Sequence, residues 1–136
     1  MVNYDDIEEQ QFYMEQLMDN YKNPTNVGTI EDYTFLRHQK NASCGDTFDM
    51  YVKLNNQNQI EDVKYKGEGC AISTASMSLL SKKLIGMDFE EAKKLIDEDV
   101  YELIGVKISP GRINCAMLSI NAFKAGAEEY ENSKNK

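Results

Sequence analysis

The chain has 136 residues, with 15 lysines and arginines against 23 aspartates and glutamates, so its net charge near neutral pH is −8. This length suits a single domain over residues 1–136, and 41% apolar residues are enough to build a core. The acidic balance argues against nucleic acid as a partner, because phosphates favour a basic face, and equally against an anionic membrane surface.

The first segment, residues 4–21, has helical spacing. Its apolar residues recur along one side of a helix: Ile7, Met14, Leu17, Met18 and Tyr21. This pattern predicts an amphipathic helix with that stripe buried. Pro24 and Gly28 then end the helix, because proline cannot continue it and glycine supplies turn geometry.

Three short stretches with strand character follow: residues 33–37, 47–54 and 59–66. In the second stretch, apolar residues alternate with more polar ones, which is typical of a half-buried strand. The connections between the stretches are short and polar. We therefore expect the three strands to form an antiparallel meander.

The next part of the chain has helical patterning. The spacing of apolar residues predicts one helix over Ala71–Leu84. A second helix is expected to begin at the N-cap Asp88 and to continue to Ile96. One or two further helical turns are expected before Gly105.

A last helix is predicted after Ser109 and Pro110, which are typical of an N-cap and a first helical residue. The charged tail is expected to fray from about residue 129. A helix, a small antiparallel sheet and then further helices together predict an α+β sandwich.

The three cysteines all lie at predicted junctions between elements. Cys44 falls in the turn between the first two strands, Cys70 where the third strand meets a helix, and Cys115 in the first turns of the last helix. An odd number of cysteines cannot be fully paired within the chain. The chain also opens without a signal-like segment and has no apolar run long enough to span a membrane, so we expect a cytoplasmic protein with reduced thiols.

Such junctions favour reactive thiolates, because a helix N-terminus offers free N–H groups and a partial positive charge. Cys70 and Cys115 have that position, and Arg112 adds positive charge three residues before Cys115. The glycines beside Cys44 and Cys70 are expected to leave room for a ligand or a partner. Asp46 is the nearest oxygen donor for a four-coordinate metal site. No Cys-x-x-Cys pair is present, so spacing alone leaves open both a metal site and three separately packed cysteines.

Four stretches, in this order, resemble the U-type iron–sulfur cluster assembly proteins (IscU, SufU and the NifU N-terminal domain). They are Asn-Tyr-Lys-Asn-Pro-Thr-Asn-Val-Gly at residues 20–28, Cys-Gly-Asp at 44–46, Gly-Glu-Gly-Cys-Ala-Ile-Ser at 67–73, and the lone Cys115. The resemblance covers nearly the whole chain, from about Asn20 to about Ala127. It implies a SufE/NifU-like sandwich, in which helices pack on one face of a three-stranded antiparallel sheet.

The resemblance also implies a site and a function. The family's three cluster cysteines fall on Cys44, Cys70 and Cys115 and its aspartate on Asp46, with Cys44 as the candidate persulfide acceptor and Arg112 in a supporting role. A scaffold of this kind accepts sulfur from a cysteine desulfurase, binds iron, and holds a transient [2Fe–2S] cluster for transfer to apo iron–sulfur proteins. Zinc frequently occupies the same site. We expect a scaffold and not an enzyme.

Three departures from the family pattern bear on the branch. Asn114 stands where IscU-type members have a histidine ligand, which leaves open whether a partner supplies a ligand there. Residues 108–112 read Ile-Ser-Pro-Gly-Arg in place of Leu-Pro-Pro-Val-Lys, which argues against docking to the dedicated Hsp70-type chaperone. Arg112 and Cys115 form the Arg-x-x-Cys of the SufU branch, but the stretch between Cys70 and Cys115 is too short for that branch's usual insertion.

Two alternatives to the scaffold stay open. The first is a zinc-dependent sulfurtransferase, in which the metal tunes a cysteine, a persulfide is the only cargo, and the desulfurase is activated. The second is a purely structural zinc domain, which would unfold when the metal is removed.

Overall fold

A computed structural model describes residues 2–41 and 45–134, so Cys44 lies outside the described residues. The elements in chain order are α1 (Ile7–Lys22), β1 (Phe35–Asn41), β2 (Asp46–Leu54), β3 (Ile60–Glu68), α2 (Ala71–Leu84), α3 (Phe89–Ala92), α4 (Asp97–Ile104), a short 3-10 turn (Pro110–Arg112) and α5 (Ile113–Lys134). Among these residues, every helix is too short or too polar to span a lipid bilayer.

The three strands form one antiparallel sheet in the order β1-β2-β3, which confirms the predicted meander. Alternate residues of β2 turn toward the helices and are buried: Phe48, Met50 and Val52. Helix α5 packs mainly on β1 and α2 packs on β3, so the helices cover one face of the sheet and the α+β sandwich is confirmed. The last pair of the β1–β2 ladder joins Asn41 to Asp46.

Helix α1 contacts the rest of the molecule through a different face from the one predicted. Of the predicted stripe only Leu17 is buried, and the other members are exposed: Ile7, Met14, Met18 and Tyr21. The buried face is partly polar, because Asn20 Oδ1 accepts a hydrogen bond from the Ser78 hydroxyl at 2.7 Å and Gln10 donates to the Gly105 carbonyl at 2.9 Å. The prediction of a buried apolar stripe is therefore wrong for all its members except Leu17.

The helix predicted from Asp88 to Ile96 is divided into two. Asp88 caps α3 as expected, but α3 ends at Ala92 and α4 begins only at Asp97. Ile96 is extended, and its backbone N–H donates to the Asp99 carboxylate at 2.7 Å. This cap starts a new helix, which ends at Gly105 as the sequence indicates, and Gly105 lies in the left-handed region (φ 73°).

The C-terminal helix extends further than the sequence predicts. Pro110 opens the 3-10 turn that leads into α5, and α5 then continues to Lys134, past the position near 129 where fraying is expected. Tyr130 holds this end of the helix because its ring stacks on Phe35, with centroids 5.6 Å apart. An ion pair between Lys93 and Glu131, at 2.6 Å, adds to the contact.

The burial of Leu17 and the exposure of Met18 on α1 yield a stability prediction. Leu17→Ala should lower the free energy of unfolding by about 2–4 kcal/mol, because it opens a cavity in the core. Met18→Ala, one residue further on, should change it by about 0.5 kcal/mol or less, since Met18 is 38% exposed. Denaturant unfolding followed by circular dichroism measures both values. Similar losses for the two variants would show that the predicted stripe is buried after all.

Candidate metal centre

Three element ends meet at one end of the sheet and bring three potential metal ligands together. Asp46 is the first residue of β2, Cys70 is the N-cap of α2, and Cys115 is the third residue of α5. Their ligand atoms all lie within 4.8 Å of one another. Asp46 and Cys115 are buried and Cys70 is partly exposed, so the site opens toward solvent on the Cys70 side.

The Asp46 carboxylate is fixed by hydrogen bonds. Its Oδ1 accepts from the backbone N–H of Cys70 at 2.9 Å, which joins the start of β2 to the start of α2. Its Oδ2 lies 3.5 Å from Asn41 Nδ2, and the same Nδ2 lies 3.5 Å from Cys115 Sγ. Sequence reasoning did not identify Asn41, because its place beside Asp46 depends on the pairing of β1 with β2.

Cys70 has the chemistry expected of a thiol at a helix N-terminus. Its Sγ accepts a hydrogen bond from the Ser73 backbone N–H at 3.5 Å, and the Ser73 hydroxyl lies 3.6 Å away. Burial raises the pKa of Cys70 and the Asp46 carboxylate raises it further, but the hydrogen bonds with Ser73 and Cys115 outweigh both. The pKa of Cys70 is therefore lowered, which favours the thiolate, the form that binds metal.

Arg112 brings a cation to both thiols. It ends the 3-10 turn that precedes α5, with its side chain exposed. The charge of Cys70 raises the pKa of Arg112 most, and hydrogen bonds to Cys115 and Cys70 raise it further. Asn114, in the adjoining first turn of α5, is exposed.

The glycine before Cys70 does not make room for a ligand, so that interpretation is wrong for Gly69. A Cβ on Gly69 would lie 2.3 Å from Ser73 Oγ and 2.7 Å from the Phe48 ring. The space is thus already filled by the side chains that hold the start of α2. Gly67 serves the sheet in a similar way, because a Cβ there would lie 2.1 Å from the Thr47 carbonyl oxygen.

The donor set fits a metal ion that prefers sulfur. Two thiols and a carboxylate suit zinc and iron–sulfur clusters. Zinc–sulfur bonds of about 2.3 Å in a tetrahedral site place neighbouring ligand atoms about 3.8 Å apart. The observed limit of 4.8 Å requires the donors to close by about 1 Å at most. The fourth predicted ligand, Cys44, precedes Gly45 and lies outside the described residues.

The fold and the site together define a class of protein: an α+β sandwich with a thiolate and carboxylate centre at one end of its sheet. The model of the NifU-like N-terminal domain family matches residues 12–136, and the chain belongs to that family. This confirms the family resemblance seen in the sequence.

Several relatives match over nearly their whole length. The zinc-dependent sulfurtransferase SufU of Bacillus subtilis is 35% identical, over 88% of this chain and 91% of that protein. The iron–sulfur cluster assembly scaffold protein IscU of Azotobacter vinelandii is 33% identical, over 90% and 96%. A crystal structure described as a candidate SUF-system scaffold, from Fervidobacterium islandicum, is 28% identical, with a TM-score of 0.73, over 87% and 98%.

The lowered pKa of Cys70 predicts how this thiol reacts in the metal-free protein. Because more thiolate is present at a given pH, alkylation of Cys70 by iodoacetamide should reach half its maximal rate below the pH of about 8.5 typical of a free thiol. Ser73→Ala removes the hydroxyl contact and should move that midpoint upward, but only in part, since the backbone N–H remains.

Peptide mass spectrometry separates the alkylation of Cys70 from that of the other cysteines. Ser81→Ala is the matched control, because Ser81 lies on the same helix and its hydroxyl contacts Asn26 instead of Cys70. A midpoint that is unchanged by Ser73→Ala, or that shifts equally in the control, would contradict the assignment.

Proposed function

We propose that this protein is an iron–sulfur cluster assembly scaffold. It accepts sulfur from a cysteine desulfurase, binds iron, and holds a [2Fe–2S] cluster as cargo for transfer to apo iron–sulfur proteins. The observation that carries the proposal is the convergence of Asp46, Cys70 and Cys115, whose ligand atoms lie within 4.8 Å of one another. Relatives named as IscU scaffolds, aligned over 90% of this chain, support it.

In this proposal, Cys44, Cys70, Cys115 and Asp46 hold the metal. The Cys44 thiolate is the sulfur acceptor: it attacks the terminal sulfur of the desulfurase persulfide, a new S–S bond forms on Cys44, and the desulfurase thiolate leaves. Cys44 lies next to Gly45, immediately before the strand that begins with Asp46. The residue that receives the sulfur is therefore only two positions from Asp46, a second proposed ligand.

Asp46 gives the site a ligand that can exchange. A carboxylate is a harder and weaker partner than a thiolate for iron in a cluster, so it is the ligand that an acceptor protein displaces most readily. The partial exposure of Cys70 leaves one side of the site accessible to a partner. The weak carboxylate ligand and the accessible side of the site both suit a cluster that is transferred to another protein.

The alternative function is a zinc-dependent sulfurtransferase that activates the desulfurase, and one observation favours it. Interaction with Cys70 and Cys115 raises the pKa of Arg112, so the arginine of the Arg-x-x-Cys motif faces both thiols. The Bacillus subtilis relative that is 35% identical is named a zinc-dependent sulfurtransferase.

Anaerobic reconstitution distinguishes the two functions. Metal-free protein is incubated with ferrous iron, cysteine, a thiol reductant that converts persulfide sulfur to sulfide, and a cysteine desulfurase, and the visible spectrum is recorded. A scaffold should develop a sulfur-to-iron charge-transfer band and then lose it when an apo-ferredoxin is added. The absence of a cluster, together with stoichiometric zinc and faster desulfurase turnover, would assign the sulfurtransferase instead. Cys115→Ser should abolish either metal complex.

Asp46→Ala should slow the release of the cluster, because the exchangeable ligand is lost. Transfer to apo-ferredoxin, followed by circular dichroism, measures the rate. Asp46→Asn retains an oxygen that can accept from the Cys70 N–H and so separates the loss of charge from the loss of that hydrogen bond. Asp49→Ala, on the same strand, is the control, because Asp49 pairs with His38 outside the site. Faster transfer from Asp46→Ala would contradict the proposed role.

A further inference from the structure

We propose that Asn41 is a positioning residue of the metal centre. Its side-chain amide bridges one oxygen ligand and one sulfur ligand, holds them at a fixed separation, and weakens the sulfur as an electron donor. The inference rests on the proposed metal site. It adds a residue that is not itself a ligand and that the family pattern did not assign.

The position of Asn41 is set by the β1–β2 hairpin. Asn41 is the last residue of β1 and pairs directly with Asp46, the first residue of β2. Its backbone carbonyl accepts from the Gly45 N–H at 2.9 Å, which closes the hairpin at this pair. Directly paired residues present their side chains on the same face of a sheet, and both side chains are buried here. The amide is therefore held beside the ligands by the backbone.

The chemistry of its neighbours fixes which end of the amide faces the site. Asn41 Nδ2 lies 3.5 Å from Asp46 Oδ2 and 3.5 Å from Cys115 Sγ. The carboxylate only accepts hydrogen bonds, and the amide nitrogen is the donor in both contacts, so the –NH2 group points at the two ligands and the amide oxygen points away. One –NH2 group has two N–H donors, which is enough for both ligands. An amide does not ionise at working pH, so it remains a donor when a metal ion binds.

Groups of this kind change the metal complex in two measurable ways. Loss of a hydrogen-bonding partner of a ligand typically weakens metal binding by about 10- to 100-fold, because the ligand is no longer held in place, and this loss exceeds the gain from stronger donation by the freed sulfur. Hydrogen bonds to a ligand sulfur also stabilise its lone pairs, which is one way in which proteins tune iron–sulfur centres. Without the Asn41 donor, the Cys115 sulfur gives up charge more easily, and its charge-transfer band moves to lower energy.

The test uses Co²⁺ and Zn²⁺ as the probes, added singly to the metal-free full chain. Asn41→Leu has similar volume but no donor, and Asn41→Ala is the second variant in case leucine disturbs folding. Zn²⁺ affinity is measured by competition with a chromophoric chelator, and the thiolate-to-Co²⁺ band is recorded at saturation. Gln39→Leu is the matched control, because Gln39 lies two residues earlier on the same strand and its side chain contacts Arg37.

We expect both Asn41 variants to bind Zn²⁺ about tenfold more weakly or worse, and to show a Co²⁺ charge-transfer band at longer wavelength at full occupancy. Gln39→Leu should match the wild type in both respects. Wild-type affinity and an unshifted band in a folded Asn41 variant would overturn the inference and leave the proposed function intact. Failure of the wild-type chain to bind either metal would overturn the proposed site itself.

Discussion

The hydrogen bond from the Cys70 N–H to the Asp46 carboxylate is the constraint on which the site depends. A buried carboxylate is costly unless its oxygens are hydrogen-bonded, and this contact meets that need at 2.9 Å. It also fixes the start of α2 against the start of β2. Helix α5 is in turn fixed to α2, because the Ser76 hydroxyl on α2 donates a hydrogen bond to the Ala116 carbonyl at 2.7 Å. Ala116 directly follows Cys115 in the chain. The carboxylate and the Ser76 hydroxyl thus align the three element ends that carry the proposed ligands.

The sequence predicted correctly those structural features that depend on neighbouring residues alone. The period-two alternation around Met50 predicted a strand, and the helix over Ala71–Leu84 has the bounds that its spacing indicates. The cap at Asp88 and the left-handed Gly105 also depend only on neighbouring residues. The placing of Cys70 and Cys115 at helix starts followed from the same signals, so most of the site's chemistry was readable before the fold was known.

Features that depend on contacts between distant segments could not be predicted from the sequence. The apolar residues of α1 predict one buried face, but hydrogen bonds from Ser78 to Asn20 and from Gln10 to Gly105 select another. The same limit applies to Asn41, because nothing local shows that it pairs with Asp46. The segment that packs against a helix determines which face is buried, and the paired strand determines the register. Neither can be predicted from the residues of one segment alone.

The position of the site relative to the core bears on what kind of metal it can hold. The aromatic centre of the fold is built from Phe35, Phe89 and Phe123, whose rings contact one another on the helix-covered face of the sheet. The proposed ligand residues lie at element ends, where Asp46 is held by the Cys70 backbone and Arg112 supplies a positive charge to both thiols. Hydrogen bonding and charge thus contribute to holding these residues in place, and a core of this size does not need a metal ion to fold. Residues that are held in place by the protein itself suit a cargo that arrives and leaves better than a structural zinc whose removal unfolds the protein.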